Sequence, residues 1–134
     1  MPQGKCNCGT VNFRVETELT QIFMCHCSIC RKSSGSNGIA VVIVPNTEFH
    51  WLSGKDNITH WKKPDAHDWE GWFCRTCGSP LPGKNDDAHI FVPAGLFGED
   101  IDHLKVTHHI WVGSKAGWDE IGGLGKQHME AFKG

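Results

Sequence analysis

The chain has 134 residues, a formal net charge of −2 and no basic run beyond Arg31-Lys32 and Lys62-Lys63, which argues against nucleic-acid binding driven by phosphate neutralisation. No stretch approaches the roughly 18 consecutive apolar residues of a membrane span, and Met1-Pro2-Gln3-Gly4-Lys5 carries no apolar signal region, so a cytoplasmic protein of a reducing compartment is expected. The length suits a single domain over residues 1–134, and sixteen glycines with six prolines point to many turns and little long helix.

In chain order the pattern is mainly β. Thr10-Val11-Asn12-Phe13-Arg14-Val15-Glu16 alternates with period two, as a half-buried strand does. Ser28 is placed to cap a short helical turn through Ile29 to Lys32, and Ser33-Ser34-Gly35-Ser36 reads as a loop able to offer backbone donors. Gly38-Ile39-Ala40-Val41-Val42-Ile43-Val44 is a continuous apolar, β-branched run, expected as a strand buried on both faces and ended by Pro45. Glu48–Leu52, Ile58–Trp61, Trp69–Phe73, Ala88–Val92 and Lys105–Val112 read as further strands, with a polar loop at Pro64-Asp65. The tail from Leu124 to Phe132 reads as a helix. Short strands at regular spacing with Gly/Pro turns point to a sandwich or folded-sheet domain.

The seven cysteines fall into three clusters: Cys6-x-Cys8-Gly9, Cys25-His26-Cys27-x-x-Cys30 and Cys74-x-x-Cys77-Gly78. An odd count and the C-x-C spacing argue against a disulfide framework. A redox C-x-x-C needs a βαβ context that the pattern lacks. Two pairs, Cys6/Cys8 and Cys74/Cys77, make up one closed four-thiolate zinc site. The glycine after each pair permits the positive φ that turns backbone N–H groups toward sulfur. Cys25, Cys27 and Cys30 make a second, three-thiolate zinc site. Residues 25 and 27 of an extended segment point to one side, which turns His26 away. His50, His60, His67, His89, His108 and His109 are all possible fourth donors. A protein histidine there makes the metal structural; otherwise the position takes a water or an incoming thiol.

At these residues the chain resembles the glutathione-dependent formaldehyde-activating enzyme family, whose domain is shared with centromere protein V. The resemblance lies in Gly4-Lys5-Cys6-Asn7-Cys8-Gly9-Thr10-Val11, Cys25-His26-Cys27-Ser28-Ile29-Cys30-Arg31 and Phe73-Cys74-Arg75-Thr76-Cys77-Gly78-Ser79-Pro80-Leu81, and more weakly in His109-Ile110-Trp111-Val112 with Ser114-Lys115 and Trp118. It implies a β-tent zinc fold of folded antiparallel sheets. It also implies structural zinc on Cys6, Cys8, Cys74 and Cys77 and catalytic zinc on Cys25, Cys27 and Cys30. The implied reaction is that of a carbon–sulfur lyase, joining glutathione to formaldehyde as S-(hydroxymethyl)glutathione.

Three readings follow for function. The first is a zinc lyase acting on a small thiol and a small aldehyde, with Arg31, Lys32 and Lys115 as candidates for the carboxylates of glutathione and with Trp111 and Trp118 as candidate pocket walls. The second is a non-enzymatic zinc module of the same fold that binds another protein through an apolar patch. The third is thiol redox sensing or metal storage.

Overall fold

Alternation in Asn12-Phe13-Arg14-Val15 buries Phe13 and Val15 completely while Asn12 and Arg14 stay half-exposed. The computed structural model describes residues 1–66 and 69–132. Among these, in chain order, lie β1 (Gln3–Lys5), β2 (Asn12–Val15), β3 (Ile22–Cys25), α1 (Ser28–Ser34), β4 (Ile39–Pro45), β5 (Phe49–Ser53), β6 (Ile58–Lys62), β7 (Glu70–Cys74), β8 (Gly83–Lys84), β9 (His89–Pro93), β10 (Val106–Ile110) and β11 (Lys126–Gln127). The fold is mainly β, as expected, and no helix among the described residues is long and apolar enough to cross a membrane.

The chain forms two compact units, each assembled from two separate stretches. The first, Met1–Glu18 with Ile43–Asp102, holds an antiparallel three-stranded sheet of order β1-β2-β5, a β6–β7 antiparallel pair and a β8–β9 antiparallel pair. Phe13 is central to its packing, with ring centroids 5.4 Å from both Phe49 and Phe97. Gly4 lies opposite Phe13 in the ladder, and a Cβ at Gly4 would stand 2.3 Å from the Phe13 ring. That ring has no exposed side to move toward. Gly4→Ala is therefore expected to cost about 1–3 kcal/mol through overpacking, read as a lower urea midpoint; an unchanged midpoint would show that the ring can yield.

The second unit, Leu19–Val42 with His103–Gly134, is built on β3, which pairs antiparallel with β4 and parallel with β10; β10 pairs parallel with β11 in turn. The mostly antiparallel pairing thus has its exceptions at β10. Four expectations are corrected here. In β4 only Val42 and Val44 are buried, so the run is not covered on both faces, although it does end at Pro45 as expected. The cap of α1 is Cys27, not Ser28, because the Cys27 sulfur takes the Cys30 N–H at 3.3 Å. The Ser33-Ser34 stretch is the last turn of α1, closed by Gly35 in the left-handed region. The tail is not helical: Gly122, Gly123 and Gly125 lower its propensity. Its backbone instead bonds to β10 and the turn after it, through Trp111 N–H to Glu130 O, Val112 N–H to His128 O and Gly113 N–H to Met129 O.

Candidate metal centres

The Sγ atoms of Cys6, Cys8, Cys74 and Cys77 all lie within 4.8 Å of one another. β1 delivers Cys6 and β7 ends on Cys74, so the first unit's ladders set the two halves of the cluster. The halves are related turns, the second one residue longer than the first. Gly9 (φ 78°) and Gly78 (φ 77°) are left-handed, and their N–H groups return to the carbonyls of Cys6 and Cys74 at 3.0 and 2.8 Å. The Asn7 N–H donates to Ser79 Oγ at 3.0 Å, tying one turn to the other. Donors converge on sulfur: Val11 N–H on Cys6 at 3.3 Å and the Asn57 amide on Cys74 at 3.3 Å. The Thr10 hydroxyl lies 3.2 Å from Cys8 Sγ and the Ser79 hydroxyl 3.2 Å from Cys77 Sγ.

These contacts favour thiolates. The Ser79 hydroxyl and then its backbone N–H pull the Cys77 thiol down to about 5, and Thr10 lowers Cys8 in the same way. Burial pushes Cys6 up. Tetrahedral zinc with Zn–S near 2.3 Å requires sulfurs about 3.8 Å apart. The Cys6–Cys8 and Cys8–Cys74 separations are 3.6 and 3.7 Å, so the cluster fits such an ion. Cys6 and Cys74 also belong to an apolar cluster with Val11 and Leu81, against which Trp51, Ile58 and Trp72 pack.

In the second unit the Sγ atoms of Cys25, Cys27 and Cys30 also lie within 4.8 Å of one another, with Cys25 and Cys27 3.5 Å apart. Cys25 is the last residue of β3, Cys27 caps α1 and Cys30 lies in its first turn. The Cys27 thiol is drawn down to about 2 by hydrogens directed at it from Cys25 and Cys30 and by the N–H groups of Cys30 and Ile29. Cys25 is pushed up to about 11 chiefly by its contact with Cys27, and Cys30 is pushed up by its contacts with both and by burial. Sulfurs this close oppose one another's simultaneous ionisation, and a bound cation offsets that repulsion. Three soft, half-buried sulfurs at this spacing fit a thiophilic dication such as zinc.

Among the described residues no histidine or carboxylate joins the triad. Of the possible fourth donors, His50 lies 3.1 Å from Glu16, His60 lies 3.5 Å from Glu70 and stacks on Trp72, and His89 pairs with Asp86 at 2.9 Å. His108 Nδ1 meets His128 Nε2 at 3.0 Å and His109 Nδ1 meets His26 Nε2 at 2.8 Å. His67 lies outside the described residues. His26 turns away from the sulfurs into the interior, at 1 % exposure.

Of the remaining candidates, Arg31 and Lys32 lie on α1, while Trp111, Lys115 and Trp118 follow β10 in the chain. Arg31 is on α1, half-buried, with Nε buried and lacking a hydrogen-bond partner. Lys32 is exposed, and the Lys115 ammonium donates to the Asp119 carbonyl at 2.9 Å. Trp118 is 71 % exposed. Trp111 directly follows β10 and has φ 55°, the one positive φ on a non-glycine among the described residues. Such a conformation on a bulky side chain costs roughly 1–3 kcal/mol and recurs at functional sites. No spacing signal points to Asp119, whose carboxylate approaches His26, or to the pairing of His109 with His26.

His26 and His109 are both held below the usual imidazole range, first by burial. Unfolded, each titrates near 6.5. A depressed folded pKa means the unfolded chain binds more protons below that value. This contribution to stability is complete above pH about 6.5 and is lost as the pH falls through that value toward the folded pKa. Urea midpoints are expected to drop between pH 7.5 and 5.5, with a shallower drop in His109→Gln; equal slopes in the two proteins would remove the histidines from the account.

A sequence profile for the family described as "Glutathione-dependent formaldehyde-activating enzyme" matches residues 1–114, a span that includes all seven cysteines. A Halomonas elongata protein named "Putative glutathione-dependent formaldehyde-activating enzyme" is 28% identical over 127 residues, covering 89% of this chain and 80% of its own. The crystal structure of a Rhodobacter sphaeroides protein shares the fold, with a TM-score of 0.55 at 23% identity over 70% of this chain and 85% of its own.

Proposed function

The chain belongs to the glutathione-dependent formaldehyde-activating enzyme family, and from that premise we propose that it is a carbon–sulfur lyase joining a small thiol such as glutathione to formaldehyde or a related small aldehyde at Cys25, Cys27 and Cys30. The supporting observation is a cluster of three thiols to which no further histidine or carboxylate of the described residues is added. A donor set of three suits a site that accepts an exogenous ligand, whereas the four-sulfur cluster suits a site that holds the fold. Zinc bound at the triad supplies Lewis acidity and lowers the pKa of a thiol brought to it.

In the net reaction the thiol's S–H adds across the aldehyde C=O. An S–C bond forms, the C=O π bond breaks, and the thiol proton ends on the new hydroxyl. The chain's own residues have three tasks in this proposal. Cys25, Cys27 and Cys30 present their sulfurs from a strand end and a helix start, two elements that leave little freedom. Arg31, through the guanidinium beyond its buried Nε, and Lys115, with two of its three N–H donors beyond the Asp119 contact, take the carboxylates of the thiol substrate. Trp111, fixed in its strained turn by the Glu130 carbonyl at 2.9 Å, walls the site.

Cys6, Cys8, Cys74 and Cys77 hold a structural zinc in the same proposal. The whole of 1–134 is a single domain, since each compact unit needs two distant stretches of chain and neither is a continuous piece. Seven free cysteines suit the reducing cytoplasm.

The direct test is magnetisation exchange between carbon-13-labelled formaldehyde and its glutathione adduct with zinc-loaded protein. Exchange faster than in buffer supports the proposal; the buffer rate at high protein concentration sinks it. The second reading, a protein-interaction module, draws support from one observation. Trp61 (52 % exposed) and Phe73 (37 % exposed) project from one face of the β6–β7 pair. That reading is favoured if the exchange rate stays at the buffer value.

A further inference from the structure

A buried polar cluster lies behind the cysteine triad. His26, between Cys25 and Cys27, is 1 % exposed, and His109 is 7 % exposed. His26 Nε2 lies 2.8 Å from His109 Nδ1. On the other side of the ring, His26 Nδ1 is buried and makes no well-formed hydrogen bond; the Asp119 Oδ2 oxygen stands 3.5 Å from it, and the Asn37 backbone carbonyl also acts on the ring as an acceptor. The Asn37 side-chain amide lies 3.5 Å from both Asp119 oxygens, and Lys115 donates to the Asp119 backbone carbonyl. Asp119 falls beyond residue 114, where the family match ends.

We infer that Asp119 is a positioning residue for the cysteine triad: by facing His26 Nδ1 it sets the tautomers of both buried histidines and so holds the backbone that carries Cys25 and Cys27. The inference deepens the proposed function, because it rests on the triad being the working site.

The argument is one of hydrogen counting. Two neutral imidazoles meeting through one N···N contact place a single hydrogen in it. In one arrangement His109 Nδ1–H donates to His26 Nε2, which leaves the second His26 hydrogen on Nδ1, facing the carboxylate. In the other, His26 Nε2–H donates to His109 Nδ1, and the bare Nδ1 lone pair of His26 faces a carboxylate oxygen. The second opposes two acceptors inside a buried cluster, where an unpaired polar contact is most costly. The carboxylate therefore selects the first. The backbone N–H of His26 also donates to the Ile110 carbonyl at 2.9 Å. Ring and peptide are both pinned, and the peptide on each side of His26 leads directly to a sulfur of the triad.

The test uses the full chain with histidine labelled in nitrogen-15, read by long-range proton–nitrogen correlation, together with cobalt(II) as a probe of the triad by chelator competition. In the wild type His26 and His109 are both expected to carry hydrogen on Nδ1. In Asp119→Ala the Nε2–H forms of both rings are expected to become populated beside the Nδ1–H forms, because only the Asn37 backbone carbonyl still favours Nδ1–H on His26. The triad's cobalt affinity is expected to fall by up to about tenfold, the lower end of the cost of losing a ligand's own outer partner. Asp119→Asn keeps an oxygen acceptor and is expected to restore the wild-type tautomers and most of the affinity.

Nε2–H on His26 in the wild type overturns the inference, whether or not the alanine variant folds. So does an alanine variant that folds with unchanged tautomers and affinity. Turnover plays no part in these readouts. A wild type that shows the expected tautomers and the expected response to Asp119→Ala, yet leaves formaldehyde exchange at the buffer rate, upholds Asp119 and defeats the proposed reaction. A wild-type triad that takes up no cobalt defeats the functional reading, and the tautomers then decide the inference alone.

Discussion

Cys27→Ser is expected to abolish formaldehyde–glutathione exchange and to lower the zinc content by about one ion per chain, while the far-UV circular dichroism stays close to that of the wild type. Cys27 lies between the other two sulfurs in the chain, and its thiol is lowered by its contacts with Cys25 and Cys30; it receives the Cys30 N–H at 3.3 Å. A serine hydroxyl can still accept that N–H and cap α1, so the helix start survives. It ionises far less readily than a thiol and is a hard donor, so it does not replace the soft ligand. Changes to residues that merely surround a metal site cost about 10- to 100-fold, so loss of a ligand should cost more than about 100-fold in turnover. Exchange at the wild-type rate with one zinc fewer would remove the triad from the reaction.

Cys74→Ser is expected to act on the fold instead. Structural zinc sites contribute roughly 10–16 kcal/mol in small domains, while a folded domain is stable by only about 5–15 kcal/mol. Losing even half of the metal's contribution leaves little or no margin. Cys74 is 1 % exposed and packs in the cluster of Cys6, Val11 and Leu81, so the serine hydroxyl is buried against apolar neighbours as well. The expected result is insoluble or unfolded protein at 37 °C. Cys8→Ser, at an exposed position of the same cluster, is expected to be milder. Measured by urea denaturation with zinc present, equal stability of Cys74→Ser and wild type would rule out a structural role for the four-sulfur cluster.

The two variants separate because the clusters differ in their surroundings. One is set within a packed apolar cluster. The other lies at a strand end and a short helix start, where all three sulfurs are half-buried. The same contrast explains what could be read early. Cys6-x-Cys8-Gly9 and Cys74-x-x-Cys77-Gly78 are turns completed within a few residues, with the left-handed glycine visible in the sequence and its N–H bond local. A strand such as β2 announces itself by alternation, because each residue's exposure follows from its own position on the pleat.

Other features depend on contacts that local pattern does not encode. The tail from Leu124 to Phe132 carries residues compatible with a helix, yet its conformation is set by carbonyls that meet the N–H groups of Trp111, Val112 and Gly113. The α1 cap went to sulfur because Cys27, and not Ser28, has the extended backbone that a cap requires. The apolar run in β4 looked doubly buried, but coverage depends on what lies against each face, which local pattern does not encode.

The sequence by itself determined the grouping of the cysteines, the mainly β character and the family, because each depends on short-range spacing and residue chemistry. Only the tertiary structure decided that no other histidine or carboxylate of the described residues joins Cys25, Cys27 and Cys30. It alone revealed that His26 meets His109 across 83 residues of chain and that Asp119 stands beside it. Those contacts form when β3 and β10 pair in parallel, and the partner chosen across such a distance is set by the packing of the whole unit rather than by any local signal.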